Sequence, residues 1–348
     1  MDDHGAPRTC KLPRAALGPR AFGEHTDDRL ETEVTTKPSI HPDMQALIDA
    51  RSGLPSANSI EAERENWTTY SARLSEPPPE NMTVEDQGLS TPVREISVRI
   101  YRPYATQEDN QPSPAIIYLH GGGFMKGDLD SSDSIAWGYA EYASAVVVSV
   151  DYRLTPEHPY PAAFDDTYAV LEHLAANSSA LGLDATRIAL AGDSAGGSLA
   201  AAVCLAARDR GGPAIAAQAL VYPGTGLDQT AGSYVEHAEG IGLTTAGTAR
   251  FRDMYLPGNV DTQDPYARPV LAPDHSGLPP AWVHPAELDP IRDDGRVYAS
   301  KLALAGNEVH FREAKGMIHG FMRARFSGEG ARAEYEAICG FLRETLHR

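Results

Sequence analysis

Four short apolar runs separated by helical stretches constrain this 348-residue chain more than any other feature. They are residues 115–119 (AIIYL), 145–150 (AVVVSV), 187–191 (RIALA) and the run AQALVYP that begins at Ala217. A strand that is apolar at nearly every position must be covered on both faces, as central strands of a parallel sheet are. Helical patterns at 135–142, 162–174 and 195 to about 210 fall between the runs, as crossovers between parallel strands require. Strands begin near Ile96, where Ile96, Val98 and Ile100 alternate as in a half-buried strand. AWVHPAE and EVHFREA supply later strands, each followed by a helix. The order predicts an α/β class: a mostly parallel, doubly wound sheet with helices on both faces.

Segments outside that alternation predict a helical cap. Residues 1–40 are polar and lack hydrophobic periodicity, so a mobile N-terminal tail is expected. In the segment 41–80, Met44, Leu47 and Ile48 share one helical face after Pro42. A second helix carries Ile60, Trp67, Tyr70 and Leu74, opens at Asn58 or Ser59 and ends at Pro77, Pro78 and Pro79. Two such helices hold too little apolar surface to fold alone. The body is expected at 81–348, with a second cap insertion at about 225–259 that has its own helical pattern around Phe251 and Tyr255.

Charge narrows the function classes. With 30 basic and 48 acidic residues the net charge is -18, which argues against nucleic-acid binding and attachment to anionic membranes. No stretch reaches the ~20 apolar residues of a membrane span, and the first residues lack the apolar core of a signal peptide. Cys10, Cys204 and Cys339 form neither a disulfide framework nor a zinc spacing. A cytoplasmic enzyme is the simplest expectation.

Gly192, Asp193, Ser194, Ala195 and Gly196 form a G-x-S-x-G pentad between the run RIALA and an alanine-rich helix. In that setting the serine stands on a tight turn above the sheet, and the helix that follows aims free N–H groups at developing negative charge. The pentad alone is weak, so the partners decide. A serine hydroxyl needs an imidazole to take its proton and a carboxylate to orient the imidazole. Both should sit on loops that leave the carboxyl ends of strands. Of twelve histidines, His319 follows the last strand between glycines, whereas His173, His284 and His310 lie inside elements and read as structural. In AELDPIRDDG, Asp289 precedes Pro290 at a helix start and is the first choice of acid, with Glu287 as fallback. Asp293 and Asp294 fall in the first helical turn and complement its dipole. The order serine, aspartate, histidine then results. An oxyanion site is offered by His120, Gly121, Gly122, Gly123 and Phe124 after AIIYL, and by the amide of Ala195.

These residues sit in motifs that resemble the hormone-sensitive-lipase-like esterases, bacterial family IV of the α/β-hydrolases: HGGGF (120–124), DYRLTPEHPYPAAFDD (151–166), GDSAGG (192–197), DPIRDDG (289–295) and IHGF (318–321). The likeness runs from about residue 40 onward, with Thr155 where the family pattern has alanine. It implies an α/β-hydrolase fold with a cap, Ser194 as nucleophile, Asp289 as acid, His319 as base, and the amides of Gly122, Gly123 and Ala195 as oxyanion hole. Dimers through a sheet edge are common among similar proteins, which makes a homodimer one expectation. In the DYRL segment, Asp151 and Arg153 read as scaffold that holds the oxyanion loop through charge-assisted hydrogen bonds. Pro156, Pro159 and Pro161 stiffen the turn.

The reaction expected is hydrolysis of small-molecule carboxylic esters of short to medium chain through an acyl-enzyme, with no metal or organic cofactor required. Trp67, Tyr70, Phe124, Tyr234, Phe251 and Tyr255 are candidates for the pocket wall. Two other readings compete. One is a non-catalytic small-molecule receptor on the same scaffold, as in the plant gibberellin receptors, which lack the histidine; the other is amide hydrolysis.

Overall fold

The structure is a computed structural model that describes residues 39–107, 111–230, 232–258 and 262–348. The expected tail therefore lies outside the described residues except for Ser39 and Ile40, as do Cys10 and Asn259. The described residues pack as one unit.

Eight strands form the central sheet: β1 (Thr83–Ser90), β2 (Glu95–Arg102), β3 (Ser113–Leu119), β4 (Val146–Val150), β5 (Leu183–Asp193), β6 (Ala217–Val221), β7 (Ala281–His284) and β9 (Val309–Phe311). Their order is β1-β2-β4-β3-β5-β6-β7-β9. Pairings β1–β2 and β2–β4 are antiparallel and the rest are parallel. A parallel pair, β8 (Ala286–Leu288) with β10 (Ala314–Ile318), stands apart from that sheet.

All seven residues of β3 are buried, and alternate side chains go to opposite faces. Ile117 and Leu119 join Val148, Leu190 and the helices Ala162–Ala176 and Ala195–Arg210. Ile116 and Tyr118 join Val147, Ala191 and the helices Asp133–Ala143 and Glu329–Leu346. This is the α/β, doubly wound sheet expected from the runs.

Two details differ from the reading of the sequence. The first strand is β1, not the one near Ile96. Its residues TVEDQGLS are largely exposed at a sheet edge, so they carry no hydrophobic pattern. AWVHPAE and EVHFREA each break into two strands, because β7 and β9 end the large sheet while β8 and β10 pair with each other. The helices Gln45–Arg51 and Ile60–Ala72 form as expected, the second capped by the Ser59 hydroxyl, which accepts from the Ala62 amide at 3.2 Å. Between β6 and β7 lie the short helix Ser233–Glu236 and the helix Thr245–Tyr255.

Candidate active site

β5 runs straight into the turn that carries Ser194. The turn is tight because Ser194 takes φ 55° and ψ -118°, a conformation rare for a side-chain-bearing residue. Glycines make room: a Cβ on Gly192 would overlap the Gly196 carbonyl, and one on Gly196 would overlap the Leu119 carbonyl. The Ser194 amide donates to the Val221 carbonyl at 2.9 Å, which ties the turn to β6.

The structure brings Ser194, His319 and Asp289 together. His319 Nε2 lies 2.9 Å from Ser194 Oγ, and His319 Nδ1 lies 2.7 Å from Asp289 Oδ2. With the buried carboxylate accepting from Nδ1–H, Nε2 is left to accept from the serine hydroxyl. Asp289 Oδ1 accepts from the Ile291 amide at 3.0 Å, so both carboxylate oxygens are fixed. The ring rests 4.7 Å from that of Tyr222. Glu287 does other work: it accepts from Lys315 Nζ at 3.0 Å and from the Gly316 amide at 2.7 Å, steadying the strand that leads to His319.

Gly122, Gly123 and Ala195 line the same cavity as Ser194 and His319. Among the described residues none of their amides donates to a protein acceptor. Gly122 and Gly123 take φ 138° and 63°, which glycine tolerates and other residues resist. The loop is pinned from several sides. The Gly121 amide donates to Asp193 Oδ1 at 3.0 Å, the Tyr152 hydroxyl to the His120 carbonyl at 2.6 Å, and the Thr155 amide to the Phe124 carbonyl at 2.8 Å. Arg64 Nε donates to the Met125 carbonyl at 2.9 Å.

That network corrects the role expected of Arg153. Its guanidinium pairs with Asp166 at 2.8 Å, and Arg94 shares the same carboxylate at 3.0 Å. It therefore holds the segment to the helix Ala162–Ala176, and the loop at 120–124 is held instead by Tyr152, Thr155 and Asp193. Burial raises the Asp151 carboxyl, with His120 and Arg94 pulling it back.

Asp193 was not singled out in the sequence. Besides Gly121 it accepts from the Tyr118 hydroxyl at 2.7 Å and the Tyr222 hydroxyl at 3.4 Å, so it couples the loop to the Ser194 turn. The variable position of the pentad gave no signal for that. Asp294 also does more than complement a dipole. It is fully buried and accepts from the amides of Gly226 and Leu227 at 2.8 and 3.0 Å and from the Tyr234 hydroxyl at 2.7 Å, anchoring the β6–β7 insertion. Burial lifts its carboxyl to about 6 against the pull of these three bonds. The other histidines hold structure: His284 with Glu334 at 2.9 Å, His173 with the Ser90 carbonyl at 3.1 Å, and His310 with Glu308 at 3.1 Å.

A cavity of about 400 Å³ opens above Ser194, within the range of small-molecule sites. Trp67, Tyr70, Phe124, Tyr234, Phe251 and Tyr255 all line it. They come from the helices before the sheet, the oxyanion loop and the β6–β7 insertion, so three separate segments wall one space.

Residues 116–323 match the α/β hydrolase fold family. The chain belongs to that family. As an α/β-hydrolase it is 40% identical over 296 residues to esterase LipI of Mycobacterium tuberculosis, covering 84% of this chain and 91% of LipI. It is 41% identical over 300 residues to carboxylesterase NlhH of the same species, covering 84% and 92%. A solved α/β-hydrolase structure, the hyperthermophilic esterase of Pyrobaculum calidifontis, aligns with TM-score 0.80 at 36% identity over 88% of this chain and 98% of that one. An ester hydrolase from the metagenome of Lake Arreo, bound to a bipyridine phosphonate derivative, gives TM-score 0.82 at 36% identity, covering 89% and 100%.

Proposed function

We propose that the chain is a serine carboxylesterase that hydrolyses short- to medium-chain esters of small molecules through an acyl-enzyme. The observation that carries the reading is the unbroken relay from Asp289 through His319 to Ser194, with both contacts under 3 Å. Esterase relatives that span nearly the same length support it. In this reading His319 takes the Ser194 proton as Oγ attacks the ester carbonyl, and the amides of Gly122, Gly123 and Ala195 receive the oxyanion. His319 then protonates the leaving alcohol, and a water activated by the same imidazole releases the acid. The helices at 41–80 and the insertion at about 225–259 act as the cap, which bounds pocket depth and so chain length.

The presence of the histidine disfavours the receptor reading. An amide would require protonation of a poorer leaving group than an alkoxide, and the relatives are named for esters. A cytoplasmic location fits two buried, unpaired cysteines, Cys204 and Cys339. No described helix is long and apolar enough to cross a membrane.

The test is a rate profile over p-nitrophenyl esters from acetate to dodecanoate, repeated with Ser194→Ala and His319→Ala. Both variants are expected to lose roughly 10⁴-fold or more in kcat, with the wild-type rate falling beyond medium chains. Wild-type rates in either variant would reject the assignment.

A further inference from the structure

One wall of the cavity is built for negative charge in a protein that is otherwise acidic. Lys126, Arg51 and Arg323 all line it, and none of the three is in an ion pair among the described residues, whereas most other arginines are. Lys126 follows the oxyanion loop directly. Its Nζ lies 5.2 Å from the Trp67 ring centroid and 5.1 Å from that of Phe251, held by aromatic faces. It makes no hydrogen bond among the described residues. Glu63, the carboxylate whose charge reaches it, is itself engaged by Arg250 through bonds of 3.0 and 2.6 Å.

Arg323 stands against the same indole, its Cζ 4.8 Å from the Trp67 ring. It is only 5% exposed, and Nη1 donates to Ser71 Oγ and to the Ser131 carbonyl. Among the described residues Nη2 finds no acceptor, and neither does Trp67 Nε1. Tyr70, 2% exposed, likewise has no acceptor for its hydroxyl hydrogen. The guanidinium of Arg51 lies 4.3 Å over the Tyr70 ring. Two acids line the cavity, Asp193 and Asp228. Asp193 is spent on Tyr118, Gly121 and Tyr222, and Asp228 accepts from the Thr230 amide. Among the described residues the wall thus holds positive charge outside any ion pair, beside three buried donors that lack a partner.

We infer that the preferred substrates are esters that carry a carboxylate, which the wall formed by Lys126, Trp67, Tyr70 and Arg323 receives. This rests on the esterase reading above and narrows its substrate class. Lys126 is the recognition cation, and Arg323 and Arg51 add to the potential from behind the aromatic rings. The carboxylate belongs either to the acyl half, as in a half-ester of a dicarboxylic acid, or to the alcohol half, as in an ester of a hydroxy acid.

Two matched pairs of alkyl esters decide, with an isopropyl group replacing the carboxylate at nearly equal size. Monoethyl glutarate against ethyl 5-methylhexanoate tests the acyl side; 4-acetoxybutanoate against 4-methylpentyl acetate tests the alcohol side. For wild-type protein, kcat/KM is expected to favour the carboxylate at least tenfold in one pair, chiefly through KM. In Lys126→Met that ratio should fall below one, and Lys126→Arg should keep it above one. Preference for the neutral ester in both wild-type pairs would overturn the inference while leaving the esterase reading intact, and needs no variant. A carboxylate preference that Lys126→Met leaves unchanged would overturn it too. Failure of the wild type to cleave any of the four would overturn the esterase reading and this one with it.

Discussion

At Ser194 the backbone does as much as the hydroxyl. Holding a serine at φ 55° and ψ -118° costs on the order of 1–3 kcal/mol, which the surrounding bonds to β6 and the missing Cβ atoms of Gly192 and Gly196 sustain. The oxyanion loop is as narrowly specified. A Cβ on Gly123 would sit 2.6 Å from the Phe251 ring at a φ of 63°, so Gly123→Ala must shift the loop whose amides would face the oxyanion. We expect kcat to fall roughly 10²- to 10³-fold with the far-ultraviolet circular dichroism unchanged, measured by steady-state kinetics; a loss below threefold would remove Gly123 from the hole. Gly340 supplies the contrast. It lies inside the helix Glu329–Leu346 with nothing within 4 Å of an added Cβ, so Gly340→Ala should stabilise by about 0.5–1 kcal/mol in urea unfolding. The triad candidates were legible because each closes a strand–loop pattern that a reader can order along the chain. Asp193, Lys126 and Arg323 were not, since their meaning comes from neighbours 29 to 256 positions away or from an absent partner. A lysine next to a glycine-rich loop in FMKG was the one local hint.

A fully buried carboxylate is one of the anchors of the β6–β7 insertion, beside Asp293, which accepts from the Ser233 amide. Asp294, on the helix Arg292–Leu304, receives two backbone amides and the Tyr234 hydroxyl across 60 to 68 positions of sequence. Asp294→Ala would leave three donors without an acceptor, at about 1–3 kcal/mol each when buried. We expect a drop in stability of at least about 3 kcal/mol by urea denaturation. KM should also rise, because Leu227, Tyr234 and Phe251 line the cavity from that insertion. Unchanged stability would show that the insertion is held elsewhere. Elements whose burial is two-sided, such as β3 and β4, announce themselves by unbroken apolar runs. β1 does not, since this edge strand owes its place to pairing with β2 and buries a single side chain, Leu89. The split at Pro285 was hidden for a related reason: β7 and β8 read as one strand, and only the sheet each joins tells them apart.

For the molecule as a whole, buried histidines are expected to set the direction of its response to pH near neutrality. Burial pushes His120, His275 and His284 below the ordinary value of 6.5, against hydrogen bonds to Gly121, Pro269 and Glu334 that work the other way. Each therefore takes up a proton in the unfolded chain at a higher pH than in the folded one. Between their folded values and 6.5 the unfolded state binds more protons, so stability rises with pH across that window and is lost as pH falls through it. Asp294 acts with the opposite sign: its carboxyl is raised from 3.8 to about 6, so its contribution falls as pH rises through 6. Above pH 6 the histidines act against the remainder of that loss and against the mutual repulsion of a net charge of -18. That repulsion is screened over about 8 Å at 0.15 M salt, while buried groups are screened far less. Thermal unfolding in 0.15 M salt should show a higher midpoint at pH 7.5 than at pH 6.0. The gap should shrink in a His120→Gln, His284→Gln double variant even though its midpoint is lower at both values. A wild-type midpoint that is equal or lower at pH 7.5 would mean that surface charge, not buried imidazole, governs the pH response.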